Sequence, residues 1–188
     1  MKKLLASLLA AGLLTACAPS SESSQTPTPT GPVATPAAST SSPDPAQDPT
    51  YLEAVRVYKA YFAQMQKMES ANFPSPDWPK AWDQWITGTM KGAIADSIQI
   101  SYDEGKKTRL KGASQLASIG PNPGVQMEGS LTSIRICSDA RQVQIVDVQS
   151  GEVVAHGPLV EKEIYFKRFD GKLKGFIQRT RIVETCSV

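Results

Sequence analysis

Two long runs of strand character, Val153 to Phe169 and Lys172 to Thr185, are separated only by Asp170-Gly171. An Asp-Gly pair readily takes the positive backbone angles of a two-residue hairpin turn, so both runs are committed to one antiparallel pair. Such a pair is not stable alone and needs further strands or a helical layer over one face. Val125 to Cys137 and Val143 to Val148 read as strands, with a turn at Ser150-Gly151 and a bend at Gly157-Pro158. Leu110 to Ile119 reads as a short strand weakened by Gly112, Ala113 and Ala117, and Gly120-Pro121-Asn122-Pro123-Gly124 reads as a loop.

Upstream the period is helical. Asp48-Pro49 makes an N-cap and first turn, after which Tyr51, Val55, Tyr58, Phe62 and Met65 recur at helical spacing to about Glu69. Phe73-Pro74-Ser75-Pro76 breaks that helix. Asp77 is then expected to cap a short second helix carrying Trp78, Trp82 and Trp85 on one face, with Pro79 tolerated in its first turn. Thr87 or Thr89 starts a third, with Met90, Ala93, Ile94, Ser97 and Ile98 on one face, and Gly105 ends it. Three helices followed by an antiparallel sheet predict an α+β domain over residues 51–188.

The first part of the chain reads differently. Met1-Lys2-Lys3 and the apolar run Leu4 to Leu14 form a signal segment, residues 1–16, too short for a membrane span of about 20 residues. Leu14-Thr15-Ala16-Cys17 looks like a bacterial lipobox, in which Cys17 takes the lipid anchor through its thiol. The anchor's acyl chains, of the palmitate kind, would hold the protein on the extracytoplasmic face of the cell membrane, since two chains bind stably where one does not. Residues 17–50 are expected to be a disordered tether: Ala18 to Thr50 holds eight of the fourteen prolines, thirteen Ser or Thr and no aromatic residue, and so buries too little surface to fold. Its mean span as a coil would be roughly 30 Å.

Charge excludes a class of partner. The precursor carries a net +2, which falls to zero once Lys2 and Lys3 leave with the signal, so no nucleic-acid partner is implied. Residues 51–188 carry 18 basic and 15 acidic side chains and are only mildly basic. Three cysteines in an exported chain leave an odd one, which is resolved if Cys17 is acylated while Cys137 and Cys186 pair.

Tyr58-x-x-Tyr61-Phe62 lies on the first helix, Thr87-Gly88 opens the third, and Ile136-Cys137-Ser138-Asp139 closes a strand, followed by Val146-Asp147-Val148-Gln149-Ser150-Gly151. Arg168-Phe169-Asp170-Gly171-Lys172-Leu173-Lys174 at the hairpin and the late Cys186 continue the series. In this order and spacing the features resemble the NTF2-like superfamily, and more narrowly the NTF2-like lipoproteins of actinobacteria, with Leu173 standing where that family usually has an aromatic residue. The resemblance implies a curved antiparallel sheet wrapped around N-terminal helices, a cone. It implies no activity, because the superfamily hosts enzymes, binders and interaction domains alike.

The residues themselves make no case for an enzyme, and no catalytic residue, cofactor or metal site is read from them. His156 is the sole histidine, without a His partner or a nucleophile motif, and is expected to be a loop residue. Asp139 and Asp147 lie where turns begin, and turns favour Asp without chemistry. Trp78, Trp82, Trp85 and Tyr165 are the ligand candidates, although such an aromatic stripe more often closes a core. Lys106, Lys107, Arg109 and Lys111 form a basic cluster, and Arg179 with Arg181 share a strand face, as solvated residues or as contacts to anionic headgroups or wall polymers. The expected function is a lipid-anchored, non-catalytic domain that binds a small ligand or an envelope protein partner. A cone-fold enzyme and a purely structural or interaction module stand as alternatives.

Overall fold

A computed structural model describes residues 44–124, 127 and 129–187. The signal segment, Cys17 and the tether up to residue 43 lie outside the described residues, as do Val125, Gln126 and Glu128 of an expected strand. Among the described residues no helix is long and apolar enough to cross a membrane.

The main helix, α1 (Pro49–Ser70), starts where its cap residues require: the Asp48 carboxylate accepts from Thr50 N at 2.8 Å and Tyr51 N at 2.9 Å, with Pro49 in the first turn. Asp44 to Thr50, assigned above to the tether, belong to the fold. Pro45–Gln47 forms a 3-10 turn capped by Asp44, and Ala46 packs against the core. Composition misplaces this boundary because capping needs one correctly placed carboxylate rather than a hydrophobic run.

The expected second helix is instead a 3-10 turn, Lys80–Gln84, that begins after Pro79, while Asp77 bonds Ser75. Its length is limited by tertiary pairing: Gly175 N donates to Trp85 O and Thr87 N to Gly175 O, both at 2.9 Å, which pulls the chain straight. The next helix, α2 (Gly88–Glu104), buries Met90, Ile94 and Ile98 but leaves Ala93 and Ser97 exposed. Gly105 caps its end, its N–H bonding Ser101 O.

Among the described residues seven strands follow, all paired antiparallel in two sheets. The larger sheet runs in the order β2 (Gln115–Pro121), β3 (Thr132–Asp139), β6 (Leu159–Phe169), β7 (Lys172–Ile182). The smaller has β4 (Gln144–Asp147) between β1 (Thr108–Lys111) and β5 (Val153–His156). The expected strand over Leu110 to Ile119 is thus two strands in different sheets, divided at Gly112, whose φ of +105° takes the chain out of the extended region. The run Val153 to Phe169 is likewise divided at Gly157-Pro158, where the proline has no N–H to pair. The hairpin is as expected: Asp170 and Gly171 have φ of 50° and 75°, joining Phe169 to Lys172.

The two faces of the larger sheet differ. Ile134 and Ile136 of β3 and Ile164 and Phe166 of β6 point to the helices and join Tyr58, Tyr61, Phe62, Trp82, Met90 and Ile98 in one core. The alternate residues, Arg135, Cys137, Glu161, Glu163 and Tyr165, occupy the outer face. The described residues form a mixed α+β fold with two α-helices and two antiparallel sheets.

Candidate functional site

On the helix-facing side of β6, the residues of one parity are Val160, Lys162, Ile164 and Phe166. A lysine in that row stands among apolar neighbours: across the sheet Lys162 pairs with Ile136 of β3 and Thr180 of β7. Lys162 lines a cleft of about 490 Å³ between α2 and the β6–β7 end of the sheet, together with Ala93, Ile94, Ser97, Val160, Gln178 and Thr180. Clefts of this size are typical of small-ligand sites, and this one sets the apolar Ala93, Ile94 and Val160 beside four polar residues.

Lys162 has no hydrogen bond or ion pair among the described residues. Burial pushes its ammonium below the ordinary lysine value, and the Glu69 carboxylate opposes that shift. Glu69 does not reach it as a partner. Its two oxygens each accept from Ser114, whose N donates at 2.8 Å and whose Oγ donates at 3.1 Å. Gln178 Nε2 donates to Thr180 Oγ1 at 3.0 Å, so the Thr180 hydroxyl keeps its proton for another acceptor. The cleft therefore offers one cation and one hydroxyl donor above an aliphatic floor.

The outer face is a closed polar network. Glu161, 2% exposed, accepts from Arg181 Nη2 at 2.6 Å, while Arg135 Nε lies 3.5 Å away. Cys137 and Cys186 are joined as a disulfide with Cα atoms 5.9 Å apart. This draws the C-terminal segment back across β6, and Ser187 donates to Glu161 through its N and Oγ. Burial alone would raise the Glu161 pKa, but the bonds from Arg181 and Ser187 outweigh it and hold the carboxyl below its ordinary value. Tyr165 lies on this face, its hydroxyl donating to Glu163 at 3.0 Å and the Arg179 guanidinium 5.9 Å from its ring. Burial first, then the Glu163 carboxylate, raises the phenol's pKa.

Of the four aromatic ligand candidates, Trp78 and Trp82 are in ring contact, but the four do not form one site. Trp82 is in the core, edge-on to both Tyr61 and Trp78, with ring centroids 5.4 and 5.3 Å away. The Trp78 indole donates to Asp83 and lies under Lys91, and Trp85 packs on the rim of the core. Tyr165 is on the far face of the sheet. His156 is exposed on β5 with Nδ1 3.2 Å from Arg141 O.

The turn carboxylates close their own turns. Asp139 binds Arg141, which lowers its pKa to about 2, and Asp147 accepts from Ser150 and Gln149. Among the described residues no three His, Cys, Asp or Glu side chains cluster as metal ligands would. Arg109 and Lys111 are exposed on β1, Lys107 is exposed, and Lys106 pairs with Asp103.

Sequence reasoning missed Lys162, although a signal was present. Within β6 it shares the parity of Val160, Ile164 and Phe166, and a charged residue on the apolar parity of a strand is out of register with burial. No family model matches the chain, and neither a curated protein nor a solved structure matches it.

Proposed function

We propose that this protein is an extracytoplasmic lipoprotein, anchored through Cys17, whose NTF2-like domain binds a small ligand without transforming it. The signal segment and lipobox support the anchor, and an antiparallel sheet with its helices on one face supports the cone-type family. The observation that carries the binding reading is the cleft between α2 and the β6–β7 edge, where Lys162 has no hydrogen bond or ion pair among the described residues. An unpaired cation in an aliphatic setting is costly to the fold, and the cost is recovered when a ligand supplies the missing acceptor.

Comparative extraction tests this reading. The lipoprotein and its Ala93→Trp variant, which fills the cleft from the α2 side, are purified from membranes in the same detergent, and their solvent extracts are compared by mass spectrometry. A small molecule near one equivalent in the parent and depleted in the variant is expected. Identical extracts from two folded proteins would contradict the proposal.

A further inference from the structure

Resting on the proposed binding cleft, the geometry points to a ligand class: a small amphiphile with a single carboxylate, held between Lys162 Nζ and Thr180 Oγ1, its hydrocarbon part lying along Ala93, Ile94 and Val160. Lys162 and Thr180 are direct partners across β6 and β7, and directly opposed side chains begin about 5 Å apart, a separation that the two oxygens of one carboxylate can bridge. The donors are of the right kind. Lys162 has only donors, and Thr180 Oγ1 already accepts from Gln178, so both groups call for an acceptor.

Charge selects a monoanion. Glu69 makes no ion pair with Lys162 among the described residues, although its charge is felt there, so the lysine keeps its donors for the acceptor of a ligand. A phosphate monoester would bring up to two negative charges to that one cation, and a neutral alcohol would leave it unpaired. An amine would repel it. Burial lowers the Lys162 pKa, and a carboxylate brought beside the ammonium would oppose that shift. Ala93 and Ser97 are exposed on α2 and leave the cleft open for the chain of the ligand.

The test uses the full lipoprotein in detergent micelles, titrated calorimetrically with hexanoate, hexan-1-ol and hexylamine against identical micelles carrying the Ala93→Trp variant. Hexanoate is expected to bind at least tenfold more tightly than hexan-1-ol, with hexylamine giving no heat above the blank. Lys162→Met should remove that preference, and Lys162→Arg should keep most of it. A parent that binds the alcohol as well as the acid, or a Lys162→Met variant that binds hexanoate unchanged, overturns the carboxylate assignment and leaves small-ligand binding standing. A parent that binds none of the three overturns the carboxylate assignment, and if its extract also matches that of Ala93→Trp the binding reading falls with it.

Discussion

Arg181 Nη2 donates to Glu161 Oε1 at 2.6 Å across the β6–β7 pair, and the Glu161 carboxylate is buried while the Arg181 side chain is largely exposed. The bond therefore joins a carboxylate that cannot be left uncompensated to a cation that can. Glu161→Gln keeps the shape but removes the charge facing Arg135 and Arg181. It is expected to destabilise the fold by about 2 to 3 kcal/mol, measured by urea unfolding at neutral pH. Because the folded pKa lies below the unfolded one of about 4.3, this contribution is present above that value and is lost as pH falls through the folded pKa. The gap between parent and variant should therefore close on acidification below about pH 4, and a gap independent of pH would count against the charge.

The disulfide ties down the segment that caps Glu161. Cys137 and Cys186 are 49 residues apart, and in the chain-entropy model a loop of that length stabilises the fold by about 3 to 4 kcal/mol. Thermal melts with and without reductant should differ by several degrees. Two reactive thiols in the denatured, unreduced protein would show that the pair is not formed.

Trp82 sits edge-on to Tyr61 and Trp78 in the core, whereas Trp78 is only partly buried. Trp82→Ala should cost about 3 to 5 kcal/mol, and Trp78→Phe much less. Comparable losses in chemical denaturation from both would mean that the indole of Trp78, not the packing of Trp82, holds this segment.

Lys162→Met should stabilise the unliganded protein by about 1 kcal/mol at neutral pH, since it removes a half-buried charge without a partner. The lysine pKa is lower in the folded state, so its penalty is greatest where both states are protonated and vanishes as pH rises past the unfolded value of about 10.4. Melting curves of parent and variant should converge there. A destabilised variant at pH 7 would mean that Lys162 has a partner in the fold.

The N-terminal peptide of the protein isolated from membranes should begin at Cys17 and carry a diacylglyceryl group. Mass spectrometry showing an unmodified peptide that starts at Ala18 would remove the anchor.

What the sequence reveals of this fold is mainly what is decided locally. Asp170-Gly171 fixes its hairpin because the turn angles are a property of those two residues, and Asp48-Pro49 fixes the start of α1 in the same way. The Trp78 to Trp85 segment is not legible, because its conformation is set by pairing with Gly175, some ninety positions later. The capping of Glu161 by Ser187 is hidden for the same reason. The cysteine pair follows from counting once Cys17 is set aside as the expected anchor. Lys162 was legible in principle through strand parity, and Thr180 faces it through the hairpin, but Ala93 becomes its neighbour only once α2 lies across β7.

A crystal structure of the protein purified from the cells that make it tests the binding account most directly, by what occupies the space bounded by Ala93, Lys162 and Thr180. The account predicts non-protein density there, with an acceptor atom within hydrogen-bonding distance of Lys162 Nζ. A cleft holding only water, or closed by the protein's own side chains, would contradict it.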